Sequence, residues 1–286
     1  MILYKYLKTE NIENVLKSGY LRFTPPIYFN DPFESLPYIQ EVIDKEIVDT
    51  LFDIVSHEEL FEYFMKTLKN EMIKSTLRNY RDIIEKGKEE ADLVYHALLG
   101  KNDKDLSSFM QKFWSEKIGI LCLSEENDNL TMWSHYAENH CGFVLGFNSD
   151  IPITNNEQCL NKPRKVLYSY SRPYLKLFIA NMNQQDRKKN WAEKFLYTKS
   201  KDWSYENEWR QVNKLESAND TRLLKNEELV HLFKFNKESV CHIYLGCRMN
   251  PKDKEEILGH TEDWDISIFQ MTISKTNYSL DKIKIK

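Results

Sequence analysis

Ile118-Gly119-Ile120-Leu121-Cys122-Leu123 is a continuous apolar run of the kind that forms a strand buried in a sheet. It follows residues 41–117, where apolar side chains recur at helical spacing and proline is absent. Further strand-like runs come after it, at Cys141–Phe147, Val166–Tyr170, Ser204–Val212, Val230–Phe235, Val240–Leu245 and Ile266–Ile273. Strands towards both ends of the chain with helices grouped between them predict an α+β fold.

The wider pattern predicts a single α+β domain over residues 1–286, with 41–117 as a helical insertion. The sheet is expected to be mixed and mostly antiparallel. Near the start, Thr9 is placed to N-cap a helix over Glu10–Lys17, with Gly19 ending it and a strand following at 20–24. A helix is also predicted over Leu130–Ala137, and another after Asn250-Pro251, where a capping residue precedes a first-turn proline.

Composition excludes several classes of protein. The net charge of −4 comes from 40 basic and 44 acidic residues without long blocks, which argues against a strongly basic nucleic-acid surface. The five cysteines are odd in number and contain no CxxC pair, which argues against a disulfide framework or a cysteine zinc site. No apolar stretch approaches a signal peptide or a membrane span. The sequence therefore predicts a cytoplasmic protein without membrane association and without a metal. The abundance of Lys, Asn and Ile beside only 8 Gly and 8 Pro residues is typical of an AT-rich bacterial genome.

The most informative motif is Trp203-Ser204-Tyr205-Glu206-Asn207-Glu208-Trp209-Arg210. On a regular strand, one face would carry Ser204, Glu206, Glu208 and Arg210. Two carboxylates about 7 Å apart on one face raise each other's pKa unless cations lie near. Such a pair suits the stabilisation of a developing cation or the polarisation of a hydroxyl group. The alternative is an exposed strand whose glutamates pair with Lys or Arg on a neighbouring strand.

Two further motifs combine aromatic and polar residues. In Asn30-Asp31-Pro32-Phe33-Glu34 the first two residues either cap their own backbone or, with Tyr28, line a small-molecule pocket. The segment Met132–Ala137 predicts a capped, packed helix with Trp133 and Tyr136 buried. Ser134 and His135 are adjacent and diverge on a helix, so they do not form a catalytic dyad. His135 and His140 are five residues apart, which misses the spacing of a helical metal pair.

Taken together, these segments resemble the bacterial domain-of-unknown-function family 2971 (DUF2971). The resemblance rests on four ordered motifs: Leu3-Tyr4-Lys5-Tyr6, Asn30–Glu34, Leu121–Ser124 with Met132–Ala137, and Tyr205–Arg210.

A more distant resemblance is to the ADP-ribosyltransferase superfamily, in the order strand, helix ending in Gly, aromatic strand, helical insert and late acidic strand. It implies a split sheet and NAD as co-substrate. Glu208 would then be the catalytic acid, with Glu206 completing a Glu-x-Glu pair. Lys5 or Tyr6 would take the place of an NAD-holding His or Arg, and Tyr28 or Thr24 that of a second NAD-binding side chain. Further cofactor-binding candidates are Asn30, Asp31, Trp133, His135 and Arg210.

Three functional hypotheses follow. The first is an NAD-consuming ADP-ribosyltransferase-like enzyme of the toxin or defence type, acting on a protein or nucleic-acid acceptor. The second is a non-catalytic module whose aromatic groove, lined by Trp133, Tyr136, Tyr205 and Trp209, binds a nucleotide, a peptide or a nucleic-acid end. The third is a hydrolase with Cys122 as nucleophile and His135 as base, although an apolar strand makes a thiolate costly at Cys122.

Overall fold

The computed structural model describes residues 1–36, 38–39, 61–62, 65–66, 78, 108, 111–112, 114–154, 162–175, 193–224 and 228–286. It confirms the α+β class. The strands are β1 Ile2–Leu7, β2 Tyr20–Phe23, β3 Tyr38–Ile39, β4 Ile118–Ser124, β5 Phe143–Asn148, β6 Arg164–Lys165, β7 Leu167–Ser169, β8 Tyr174–Leu175, β9 Thr198–Ser200, β10 Glu208–Lys214, β11 Asp220–Leu223, β12 Leu229–Lys234, β13 Val240–Leu245, β14 Ser267–Ile273 and β15 Leu280–Lys284. The α-helices that lie entirely within the described residues include α1, Leu130–Tyr136, and α2, Pro251–His260.

Most of these strands form one eight-stranded sheet in the order β15-β14-β13-β5-β1-β4-β10-β6. Its neighbours pair antiparallel except β13 and β14, which are parallel. A three-stranded sheet has the order β11-β12-β2, and two-stranded ladders join β3 with β8 and β7 with β9. The mixed, mostly antiparallel sheet is the arrangement that the sequence predicts.

The large sheet opens between β1 and β4. These strands share one register pair, Tyr4 with Ser124, whereas β1 pairs with β5 along six residues. Four residues before Ser124, Ile120 instead exchanges two backbone hydrogen bonds of 2.9 Å with Thr24. The edge of β4 that faces β1 thus pairs with β1 at Ser124 and with Thr24, the residue after β2, at Ile120.

The alternation of β1 explains the two hydrophobic cores. Leu3 and Leu7 belong to a core that also contains Phe23 and Phe233, of β2 and β12. Tyr4 and Tyr6 point to the other face, where α1 packs and contributes Trp133 among others. Lys5 shares the face of Leu3 and Leu7 because side chains alternate along a strand.

By their internal contacts the residues divide into two units. The first contains Met1–Phe29, Glu116–Tyr170 and Lys199–Lys286, and the second contains Asn30–Ser115 and Ser171–Thr198. In the second unit, the predicted Asn30–Glu34 motif forms a turn in which Asp31 Oδ1 accepts a hydrogen bond from Phe33 N at 2.9 Å. Most of the predicted helical insertion, 41–117, lies outside the described residues, so its structure stays a prediction.

The predicted helix over Glu10–Lys17 is wrong in its form. The chain instead makes a 3₁₀ turn at Thr9–Asn11 and a π-helical turn at Glu13–Lys17. The Thr9 hydroxyl does not cap the helix, because it donates to Glu138 Oε2 at 2.7 Å. The predicted stop is confirmed, since Gly19 has a φ of +74°.

Within the described part of the chain, none of the helices combines the length and the apolar character that crossing a bilayer requires.

Candidate functional site

Four charged side chains form a buried cluster in the first unit: Lys199, Glu206, Glu208 and Arg210. Lys199 Nζ lies 2.6 Å from Glu206 Oε2 and 3.3 Å from Glu208 Oε2. Arg210 donates to Glu208 with Nε at 2.8 Å and with Nη2 at 2.9 Å. Each of these side chains is at most 4% exposed. Because an isolated buried charge is costly, two carboxylates and two cations at such short distances stabilise one another.

The predicted strand Ser204–Val212 is wrong at its start. The backbone that replaces it there places Glu206 in the cluster. Residues Lys201–Glu206 form a 3₁₀ helix, and Asn207 follows it in the left-handed conformation, with a φ of 42°. Strand β10 begins only at Glu208. Glu206 therefore reaches the site from a helical turn rather than from a strand face. The two carboxylates still converge, because both bind the same ammonium group of Lys199.

The two glutamates have opposite protonation tendencies. Burial raises the pKa of Glu206, and the attraction of Lys199 offsets this only in part. Burial acts in the same direction on Glu208, but there Arg210 and Lys199 outweigh it and lower the pKa to about 2. A pair of carboxyl groups whose environments separate their pKa values is a common arrangement in acid–base sites. Glu208 is the permanent anion here, and Glu206 is the carboxylate that takes up a proton more readily.

Hydroxyl groups surround the carboxylates. Tyr136 OH donates to Glu206 Oε1 at 2.6 Å, which ties the last residue of α1 to the cluster. Tyr168 OH accepts from Glu208 N at 2.8 Å. Burial raises the pKa of the Tyr168 hydroxyl, so this group stays protonated near neutral pH. Both tyrosines are half-buried, whereas the four charged side chains are buried.

Lys5 connects this cluster to the opening of the sheet. Its Nζ donates a hydrogen bond to the backbone oxygen of Cys122 at 3.1 Å. Cys122 lies in β4, two residues before Ser124, the residue that pairs with β1. Burial lowers the pKa of Lys5, while Glu208 acts in the opposite direction and Arg22 in the same one. Lys5 is nevertheless half-buried rather than fully enclosed. Lys5 is thus a partly desolvated cation at the place where β1 and β4 separate, near enough to Glu208 for the two charges to attract each other.

Cys122 lacks the environment of a nucleophile. Burial raises the pKa of its thiol well above the ordinary range, and the charge of Glu208 raises it further. A nucleophilic cysteine needs a stabilised thiolate, which is the opposite effect. His135, the base of the hydrolase hypothesis, instead has Nδ1 3.2 Å from Tyr205 OH.

A second group of residues forms an aromatic surface, which we define as Trp203, Tyr205 and His135. The ring of Tyr205 lies 6.0 Å from that of Trp203 and 6.2 Å from that of His135. His135 is exposed and the other two rings are half-buried. Lys199 Nζ lies 4.8 Å from the centre of the Trp203 ring, so the surface borders the charge cluster. Trp133 is not part of it, because its side chain is fully buried against Tyr6.

The other predicted site residues are dispersed. Tyr6 is buried and donates to Glu126 O at 2.8 Å, and Thr24 is held by its backbone pair with Ile120. Tyr28 is 48% exposed. Asn30 and Asp31 belong to the second unit, whereas the charge cluster belongs to the first. Among the site residues predicted from the sequence, the structure thus brings together Glu206, Glu208 and Arg210. Lys5 is close enough for both glutamates to raise its pKa by electrostatic attraction.

Sequence reasoning missed Lys199 and Tyr168. Lys199 stands among other lysines in the sequence, and nothing in its neighbours signals burial. The sequence indicates Tyr136 only as an aromatic side chain, whereas in the structure its hydroxyl donates a hydrogen bond to Glu206. A group of three or more His, Cys, Asp or Glu side chains arranged to hold a metal does not occur among the described residues.

Comparison with known proteins gives one match. The model of the family described as "Protein of unknown function (DUF2971)" matches residues 132–211, a span that includes most of α1 and the whole charge cluster. This supports the resemblance to that family over this span. Neither the curated proteins nor the solved structures contain a match. The resemblance to ADP-ribosyltransferases therefore stays a hypothesis.

Proposed function

We propose that this protein cleaves NAD and transfers its ADP-ribosyl group, with Glu208 as the carboxylate that stabilises the transition state. The observation that carries the proposal is the Glu208 carboxylate, which Arg210 and Lys199 hold in place on the strand next to β4, where β4 separates from β1. When the bond between nicotinamide and ribose breaks, its electron pair leaves with the nicotinamide nitrogen and positive charge develops on the sugar. A fixed carboxylate near the ribose stabilises that charge. Arg210 and Lys199 keep Glu208 ionised by lowering its pKa.

Glu206 has the properties needed for the second half of the reaction. The acceptor must lose a proton as it forms its bond to the ribosyl carbon. A carboxylate whose pKa is raised by burial accepts that proton more readily than an ordinary surface glutamate. Water as the acceptor gives hydrolysis of NAD, and a protein or nucleic-acid nucleophile gives transfer.

The positive charge in the opening suits the pyrophosphate of NAD. Lys5 is desolvated there and lies close enough to Arg22 for the two cations to repel each other. Arg22 pairs with Glu228, yet its Nε is buried and has no hydrogen-bond partner among the described residues. A bound diphosphate would relieve the repulsion and accept from that nitrogen. We therefore assign Lys5 and Arg22 to the phosphate groups of the co-substrate.

The test is release of nicotinamide from NAD by the purified protein, alone and with cell extract as acceptor. We expect Glu208→Gln to reduce the rate by roughly 10²-fold or more, because it keeps the shape of the side chain and removes its charge. Glu216→Gln is the matched control, since Glu216 is 71% exposed in a surface ion pair with Lys214. NAD left intact by the wild-type protein in both conditions would overturn the proposal, whatever the variants do.

A second candidate function is supported by the aromatic surface. Adjacent, partly exposed rings bind bases by stacking, as single-strand-binding proteins do. In this case the protein would be a non-catalytic module for a nucleotide or a nucleic-acid end. A thermal-shift screen against nucleotides and short oligonucleotides distinguishes the two, because stabilisation without turnover, lost in Tyr205→Ala, favours the binding module.

A further inference from the structure

The turn after α1 contains an uncommon run of left-handed backbone. Glu138, Asn139 and His140 have φ values of 52°, 51° and 71°. This conformation is unfavourable for residues that carry a Cβ, although asparagine tolerates it better than most. Strained residues of this kind persist only where the surrounding contacts hold them in place, and they are common at functional sites. The turn after α1 is thus a strained segment whose stability depends on its contacts.

Backbone hydrogen bonds hold this turn from two sides. His140 N donates to Trp133 O at 3.2 Å, and Gly142 N donates to Ala137 O at 2.8 Å, which joins the turn to the end of α1. From the loop after β13, Arg248 N donates to His140 O at 3.0 Å. The ring of His140 lies nearly parallel to that of Trp133, with an angle of 8° and centroids 6.3 Å apart. The turn therefore places the His140 side chain against α1.

The hydrogen bonds of His140 define its protonation state. Ser134 Oγ donates its only hydrogen to Leu130 O at 2.9 Å, so it acts as an acceptor towards His140 Nε2, which lies at 3.1 Å. Nε2 therefore carries the hydrogen of the neutral ring. Nδ1 is buried and has no hydrogen-bond partner among the described residues. A second proton, at Nδ1, would form a buried N–H group without an acceptor, which is unfavourable.

The charges around the ring do not compensate for such a proton. Titratable side chains on the surrounding elements are Lys8 after β1, His135 in α1, Glu138 and Cys141 in the turn, and Cys247 and Arg248 in the facing loop. Burial lowers the pKa of His140, and the charge of Arg248 lowers it further. The carboxylate of Glu138 is directed elsewhere, because its Oε2 accepts from the hydroxyl and the backbone N of Thr9 at 2.7 and 3.0 Å. The closed turn thus favours neutral His140.

We propose that His140 is a pH-sensitive switch, which holds the strained turn closed when neutral and releases the end of α1 when protonated. The protonated ring leaves its place beside Trp133 so that both N–H groups reach water. The left-handed residues then relax to a more favourable backbone. Tyr136, two residues before the turn, donates to Glu206 at 2.6 Å, so opening of the turn weakens the contact between α1 and the charge cluster. The effect on activity rests on the proposed function, whereas the opening itself does not.

The switch responds on the acidic side of neutrality. A histidine whose pKa is lower in the closed turn than in the open one stabilises the closed turn fully above its ordinary pKa of 6.5. This stabilisation is lost as the pH falls below that value towards the pKa of the closed state. We therefore expect a closed turn at about pH 7.5 and an increasingly open one towards about pH 5.

The experiment is amide hydrogen exchange of the protein, followed by mass spectrometry of the peptides that contain residues 137–142. The exchange rates are corrected for the intrinsic effect of pH. We expect the protection of this segment to fall roughly tenfold or more between about pH 7.5 and about pH 5, because a buried N–H group without an acceptor has a cost of that order. The peptides of α2 are the internal reference and should keep their protection.

His140→Gln removes the titration and keeps a side-chain amide that can donate to Ser134. We expect this variant to show the same protection of residues 137–142 at both pH values. If it does not fold, His140→Asn takes its place, since asparagine tolerates the left-handed conformation. His260→Gln is the matched control, because His260 is in α2, where its Nε2 lies 3.8 Å from Glu256, and this variant should respond as the wild-type protein does.

The proposal is overturned if the wild-type protein protects residues 137–142 equally at both pH values. A loss in the His140 variant as large as in the wild-type protein also overturns it, since a different group, such as Glu206, would then open the turn. An equal loss in α2 overturns it too, because the whole fold would be responding. Nicotinamide release is not part of the readout, so a protein that leaves NAD intact can still show the switch.

Discussion

Lys199→Met tests whether the buried charges depend on the ammonium group that joins them. Methionine keeps much of the length of the lysine side chain and removes the charge. Glu208 retains both bonds from Arg210, so the carboxylate left without a cation is Glu206, which keeps the Tyr136 hydrogen bond. Removing one partner from a buried ion pair costs about 3–5 kcal/mol, because the remaining charge stays desolvated. We expect a loss of that size in the free energy of unfolding near neutral pH.

The pH dependence of this loss follows from the direction of the pKa shift of Glu206. A carboxyl group whose pKa is raised in the folded state destabilises that state when the pH is above its unfolded pKa. Removing Lys199 raises the pKa of Glu206 further, since Lys199 is the cation that lowers it. The penalty of Lys199→Met is therefore largest near neutral pH. It shrinks as the pH falls towards the ordinary glutamate value of 4.5, because Glu206 becomes neutral.

The assay is urea unfolding followed by tryptophan fluorescence, at about pH 7 and at about pH 5. Lys214→Met is the control, because Lys214 makes a comparable contact of 3.2 Å with Glu216 but is 53% exposed. Such surface pairs contribute about 0–1 kcal/mol. A loss for Lys199→Met that matches the control, or one that is the same at both pH values, would show that the cluster does not depend on this charge.

Three other substitutions test features around the site. Tyr136→Phe removes the hydroxyl that donates to a buried carboxylate at 2.6 Å and should lower the free energy of unfolding by about 1–3 kcal/mol in the same urea assay. Asn207 has a φ of 42°, and alanine lacks the polar side chain that helps asparagine adopt this left-handed conformation. Asn207→Ala should therefore lower the free energy of unfolding by about 1–2 kcal/mol, and Asn207→Gly should recover part of this loss, as measured by thermal unfolding. Gly246→Ala should strongly reduce the yield of folded protein, because its Cβ would overlap the carbonyl group of His140. Gly259 lies in α2, and a Cβ there would meet no atom within 4 Å, so Gly259→Ala should raise the melting temperature slightly.

Part of the sheet was predictable because some of its strands are mostly apolar. The runs 118–123 and 240–245 appear as β4 and β13 with boundaries that differ by at most one residue. The helix α2 was predictable for a local reason, since Asn250 caps it with a side-chain oxygen and Pro251 occupies its first turn. Such signals come from residues that are neighbours in the sequence, so they can be identified without knowledge of the tertiary structure.

The charge cluster was only partly predictable because tertiary packing determines it. The pattern around Glu206 and Glu208 alternates like a strand, but Asn207, a residue type that tolerates the left-handed conformation, interrupts it. Lys199 has the same local sequence character as an exposed lysine, yet packing against β10 buries it. Burial of a charged side chain depends on partners that are distant in the chain, so periodicity and propensity do not reveal it.

The order of the cluster residues along the chain has a consequence for folding. Lys199, Glu206, Glu208 and Arg210 all come from the single stretch 199–210, so bringing them together closes only a short loop. The loss of chain entropy in that step is small. Helix α1 contributes to the burial of Glu206 through the Tyr136 hydroxyl, which is 70 residues distant in the chain. We therefore expect docking of α1 to be the step at which ionic strength and pH influence the folding rate.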